Sequence, residues 1–294
     1  MEKLQAAIES ARRRRAAQAV EAAPAGLPPT VQADAPAGPA IVAPVETGND
    51  RRGSAEVEAR WAALDPVMLQ QGRLTQSRIL SLNASASSAP FDVLRTKILY
   101  QMQQKGWRRL AITSPLPRCG KTTTACNLAL GLCRQPELRS VLFDFDLRSP
   151  SVASVLGIAE PQPIISLLNS QRSFAQHAHR LSSNLALALS GRAEPDPTRV
   201  LMSDSTQSML ARVQDEYQPD VMIFDLPSIL IGDDARAFLQ HVDCALILAR
   251  ADQTRYGDFD SCEREVGEYT NVLGMVLNGY RHGDGLVDVE RGGA

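Results

Sequence analysis

Three short stretches carry side chains suited to handling a phosphate. Gly120-Lys121-Thr122-Thr123 stands between an apolar run, Leu110–Ile112, and a segment with apolar residues at Ala125, Leu128, Ala129 and Leu132. The run reads as a buried strand and the segment as one face of a helix. A loop at this junction can bring its backbone close to an anion, because Gly120 has no side chain. The free N–H groups of the new helix, and its dipole, favour negative charge there. Lys121 adds a positive charge for β and γ phosphates, Thr122 a hydroxyl for Mg²⁺, and Thr123 a contact for an α phosphate. Arg118 and Cys119 belong to the same cradle.

The other two stretches supply carboxylates. Ser140 to Arg148 is an apolar run ending in Asp144-x-Asp146-x-Arg148. Both acids can face a phosphate if the strand has just broken into loop. Pro219 to Ser228 is a second apolar run, ending in Asp225. A carboxylate so placed holds Mg²⁺ or its waters. Taken singly, each signal has an ordinary explanation: a strand ending in a solvated Asp, or a helix opening on a solvated Lys. All three together, in this order, point to a bound nucleotide, with ATP and Mg²⁺ as the ligands expected.

Positioning these groups requires strands that end together. Apolar runs at Leu110–Thr113, Val141–Phe145, Leu185–Leu189, Val221–Phe224, Cys244–Ala249 and Met275–Leu277 read as strands. Helical spacing is expected over 121–134, 198–217 and 255–270, and from Phe91 to Met102 with Gly106 as a stop. Alternation of this kind predicts an α/β fold: a doubly wound, mostly parallel sheet of P-loop NTPase type, covered on both faces. Ligands of such sheets sit at the carboxyl ends of strands.

The rest of the chain reads as an extension. Residues 1–20 pair Leu4 and Ile8 with Arg12 to Arg15, a short helix with a basic end. It is either a solvated helix or one that docks on a partner or an anionic membrane surface. Residues 21–54, rich in Ala, Pro and Gly, are expected to be a disordered linker. Residues 55–89 read as an arm and flexible joint, 90–281 as the nucleotide-binding domain and 282–294 as a disordered tail. Of 294 residues, 44% are hydrophobic and the formal net charge is −2, so bulk charge does not predict nucleic-acid binding. No run approaches the length of a membrane span, and the start lacks the apolar core of a signal peptide. Five cysteines without a Cys-x-x-Cys pair fit a reduced, cytoplasmic protein with no zinc or iron–sulfur site.

At this point the sequence resembles the bacterial tyrosine kinases, the capsule and exopolysaccharide autokinases of CpsD/CapB type, relatives of division-site and partition ATPases. The shared pieces are Leu94-Arg95-Thr96, the glycine–lysine loop, Asp144-x-Asp146-x-Arg148, Asp225-Leu-Pro, Asp233-Asp-Ala-Arg236 and Leu277-Asn-Gly279. They cover roughly residues 90–281. The resemblance implies that Lys121 and Thr122 bind ATP and Mg²⁺, that Asp146 and Asp225 hold the metal, and that Asp144 orients or deprotonates a tyrosine hydroxyl. Arg148 would stabilise phosphate charge or anchor the loop.

It further implies a membrane-anchored polysaccharide chain-length or co-polymerase partner, a homo-oligomer, and a place at the inner face of the cell membrane. Nucleic acid is not an expected partner, since the loop lacks the signature lysine of partition ATPases. Departures from the family pattern are visible. Pro115 replaces the usual first glycine, Arg118 stands where a glycine is common, and Ser228 replaces a proline. Ala89 and Asp92 interrupt an oligomerisation motif that ends at Arg95. Residues 281–294 contain no tyrosine. Two classes of function therefore follow: an ATP-dependent protein-tyrosine kinase, or an ATP-switched regulator that grips a membrane protein without phosphorylating it.

Overall fold

The computed structural model describes residues 55–159 and 161–280. The helix expected at 1–20, the linker at 21–54 and the tail at 282–294 lie outside the described residues. Within them, eight strands form one sheet: β1 Asp65–Pro66, β2 Arg109–Thr113, β3 Ser140–Asp144, β4 His179–Ser182, β5 Leu185–Ala188, β6 Val221–Asp225, β7 Cys244–Arg250 and β8 Asn271–Asn278. Their order is β1-β4-β5-β3-β6-β2-β7-β8, and every neighbouring pair is parallel except β4 with β5.

The central strands are apolar through their middles because both faces are covered. Along β3 and β6, Phe143 and Phe224 turn to one face while Leu142 and Ile223 turn to the other. Phe143 and Phe224 stack at 4.9 Å, and Phe145 meets Phe238 edge-on at 4.6 Å. Each such ring contributes about 2–3 kcal/mol on burial.

The phenylalanine face is covered by α1 (Ala55–Ala62), α9 (Asp204–Tyr217), α10 (Asp234–Leu239) and α11 (Tyr256–Tyr269). The other face carries α2 (Gln71–Gln76), α3 (Ala89–Lys105), α4 (Lys121–Cys133) and α5 (Val152–Leu156). Short helices α6 (Ile165–Leu168), α7 (Phe174–His177) and α8 (Pro197–Leu201) complete the set.

Several boundaries differ from the sequence reading for identifiable reasons. The helical stretch expected at 198–217 is broken between α8 and α9, where the Ser203 hydroxyl accepts from Thr206 N–H and caps the second helix. Helix α3 starts two residues before Phe91 and ends at Gly106, whose φ of 69° closes it. Strand β8 runs for eight residues, not three, because pairing with β7 continues past a bulge near Leu246. The two-residue β1 and the polar β4 carry no apolar run to announce them.

Residues 55–82 are built into the sheet domain. Trp61 is 2% exposed and its Nε1 donates to the Tyr217 carbonyl at 2.8 Å. Asn127 of α4 accepts from Leu80 and Ser81 N–H and donates to the Arg78 carbonyl.

Candidate functional site

Strands β2, β3 and β6 lie side by side, and their carboxyl ends deliver the three motifs to one place. Between β2 and α4 the chain makes a tight loop in which Arg118 has φ 62° and Gly120 φ 94°. A Cβ on Gly120 would stand 2.1 Å from Asn278 Nδ2, so any other residue must displace that side chain as well as adopt a left-handed backbone. Arg118, in contrast, holds a left-handed backbone with a full side chain.

Lys121 opens α4 and is buried, its Nζ donating to Ser228 Oγ at 3.1 Å. Ser228 also lies 3.2 Å from Ser114 Oγ. The residue that departs from the expected proline thus orients the loop lysine, a role the sequence reading missed. Thr122 Oγ1 lies 3.1 Å from Ser151 Oγ. Thr123 is half-buried, and its carbonyl accepts from Asn127. Cys119 is 3% exposed, and its thiol faces Thr254 Oγ1 at 3.8 Å.

Asp144 and Asp225 are direct partners in the β3–β6 register. Both have no exposed surface. Asp144 Oδ2 accepts from the N–H groups of Ser151 and Val152, each at 2.9 Å, which ties β3 to the start of α5. Its Oδ1, and both oxygens of Asp225, have no hydrogen-bond partner. Burial drives both acids upward. Asp225 rises to about 7, against the pull of the nearby Thr122 hydroxyl and the Lys121 charge. Asp144 is raised well above the usual carboxylate range by burial and then by the neighbouring Asp225.

Asp146 is half-buried and also raised by burial, while Lys121 and the Ser149 N–H oppose the shift. Buried acidic oxygens without partners, beside a threonine hydroxyl, make a hard donor set that fits Mg²⁺. No ready-made cage of three or more His, Cys, Asp or Glu exists among the described residues. Mg²⁺ does not need one, since it keeps most of its shell as water and phosphate oxygens.

A cleft of about 480 Å³ opens over these strand ends, lined by Lys121, Asp146, Arg148, Ser228, Ile231 and Asp234 among others. Asp146 therefore faces the open space while Asp144 and Asp225 sit behind it. Arg148 is exposed, yet its guanidinium makes a bidentate pair with Asp234, which is 4% exposed and also accepts from Thr198 Oγ1 at 2.7 Å. Asp234 lies 86 positions from Arg148, and only the fold reveals the pairing. Away from the cleft, Arg95 donates to Asp92 and to the Gly131 carbonyl, and Arg134 donates to Asp92 as well.

No protein-family model matches the chain. Tyrosine-protein kinase YwqD of Bacillus subtilis is 25% identical over 213 residues, 71% of this chain and 89% of that protein. Tyrosine-protein kinase Wzc of Salmonella typhimurium is 27% identical over 221 residues, 74% of this chain but only 30% of the longer relative. The crystal structure of the VpsO kinase domain superposes with a TM-score of 0.59 at 27% identity, covering 66% of this chain and 96% of that domain.

Proposed function

We propose that this chain, a relative of the bacterial tyrosine-protein kinases, is itself an ATP-dependent protein-tyrosine kinase. It would act in regulating exopolysaccharide or capsule synthesis and export. The observation that carries the proposal is the meeting of Gly120-Lys121-Thr122 with Asp144, Asp146 and Asp225 at one end of one sheet. In this reading the loop backbone from Arg118 to Thr123 cradles the phosphates of ATP, and Lys121 neutralises their charge. Thr122, Asp146 and Asp225 would hold Mg²⁺, which when bound offsets charge developing on the transferred phosphoryl group. A cation held there would favour the charged form of both buried acids and so oppose the upward shift that burial produces.

Asp144 Oδ1 is buried and without a hydrogen-bond partner; in this reading it would orient or deprotonate the acceptor hydroxyl once that hydroxyl is brought down to it. Asp146 shares the approach side of the cleft with Arg148, and Asp234 holds Arg148 in place there. Catalysis is positioning and charge neutralisation for an in-line transfer. The partners in this reading are a membrane-anchored chain-length protein and further copies of the chain. No helix among the described residues is long and apolar enough to cross a membrane. In this reading attachment at the inner membrane face would come through the partner. Of the tyrosines, Tyr217 is buried, while Tyr100, Tyr256, Tyr269 and Tyr280 are exposed.

A second reading, the ATP-switched regulator, draws support from the absence of tyrosine in residues 281–294. Mass spectrometry after incubation with ATP, Mg²⁺ and a membrane chain-length protein separates the two. Phosphotyrosine is expected in the wild type. Asp144→Asn should hold nucleotide affinity within a few-fold and lower phosphotyrosine formation by about a hundredfold, the usual worth of a positioned base. A wild-type protein that binds ATP and yields no phosphotyrosine on itself or its partner overturns the kinase reading in favour of the switch.

A further inference from the structure

Two carbonyls of the phosphate loop are held from behind. Arg250 ends β7 and Asn278 ends β8, and the two are register partners. Arg250 Nη1 donates to the Arg118 carbonyl at 3.2 Å, and Asn278 Nδ2 donates to the Cys119 carbonyl at 2.9 Å. The Asn278 amide has one favourable orientation, because its Oδ1 accepts from the Gly279 N–H at 2.8 Å. Arg250 is steadied in turn by Thr254, whose Oγ1 accepts from the Arg250 N–H at 2.8 Å.

The consequence for the loop follows from peptide geometry. Peptides here are trans, so each C=O and the N–H that follows it point in opposite directions. Drawing the Arg118 and Cys119 carbonyls toward the ends of β7 and β8 turns the Cys119 and Gly120 N–H groups the other way. Left-handed backbone at Arg118 and Gly120, on alternate residues, is the twist that makes successive N–H groups converge on an anion.

Building on the nucleotide-binding reading, we infer that Arg250 and Asn278 are positioning residues that keep the phosphate loop in its anion-receiving form. They act through the Arg118 and Cys119 carbonyls and need not touch the nucleotide. The same close approach of Asn278 would be disturbed by a side chain at Gly120.

The test uses the full chain with ATP and, separately, inorganic tripolyphosphate, each with Mg²⁺, alongside thermal melting. Tripolyphosphate has no base or ribose, so it reports on the loop alone. Asn278→Ala should weaken both ligands by the same factor, about tenfold for the loss of one well-placed hydrogen bond and the order it imposes. Arg250→Met should weaken both in the same way, and Arg250→Lys, which retains a donor, should recover part of the loss. Should Asn278→Ala melt too early to assay, the Arg250 pair carries the test. Unchanged triphosphate affinity in the variants overturns the inference, as does a loss confined to ATP, which would mark a contact with base or ribose. A wild-type chain that binds neither ligand overturns instead the nucleotide reading beneath it.

Discussion

Replacing Gly120 with alanine probes the loop most directly. The backbone there has φ 94°, and a residue with a Cβ in left-handed space costs roughly 1–2 kcal/mol. The new Cβ would also lie 2.1 Å from Asn278 Nδ2. Asn278 must then swing away and lose its bond to the Cys119 carbonyl, at about 1 kcal/mol more. Gly120→Ala should therefore lower stability by roughly 2–3 kcal/mol. Urea unfolding would show this as a lower midpoint with an unchanged slope. Combining Gly120→Ala with Asn278→Ala should cost clearly less than the two singles added together. Both remove the same hydrogen bond, and the second deletes the atom that the first strikes. Additive losses, or a Gly120→Ala loss under about 0.5 kcal/mol, would refute the reasoning.

Two further expectations concern strain and pH. Arg118 holds φ 62°, so Arg118→Gly relieves about 1 kcal/mol of strain while adding flexibility to the unfolded chain; urea unfolding should show stability unchanged or slightly raised, and a clear loss would mean the arginine side chain itself stabilises the loop. His177 is buried, with Nε2 against the Leu189 carbonyl, and burial, with His179 and Arg172 nearby, lowers its pKa to about 4. The unfolded chain takes up that proton first, so the stability His177 contributes is full above pH 6.5 and falls as pH drops towards 4, by about 3 kcal/mol at most. The buried acids Asp144 and Asp225 shift in the opposite direction, and they cancel when wild type is compared with His177→Gln. That variant should gain on the wild type as pH falls through this window; a difference flat from pH 7 to 4 contradicts the assignment.

By itself the sequence determined the layered α/β architecture and the end of the sheet where chemistry gathers. Central parallel strands are buried on both faces, so they must be written as unbroken apolar runs, and β2, β3, β6 and β7 could be read within a residue or two. The acids that close two of those runs were legible for the same reason, since a carboxylate at a strand terminus interrupts an otherwise apolar pattern. What the tertiary structure decided were relations between positions far apart in the chain. The Asp144–Asp225 adjacency depends on β3 lying beside β6; burial and then this neighbour raise Asp144, while burial and the Asp146 charge raise Asp225. The hold of Ser228 on Lys121 and of Asp234 on Arg148 spans 107 and 86 positions, and the brace from Arg250 and Asn278 to the loop spans 132 and 159. No local periodicity encodes such contacts, because hydrogen bonds at this range are set by strand order and register. The short polar strands β1 and β4 escaped notice for a related reason: their pairing comes from the sheet edge they join, not from any apolar pattern of their own.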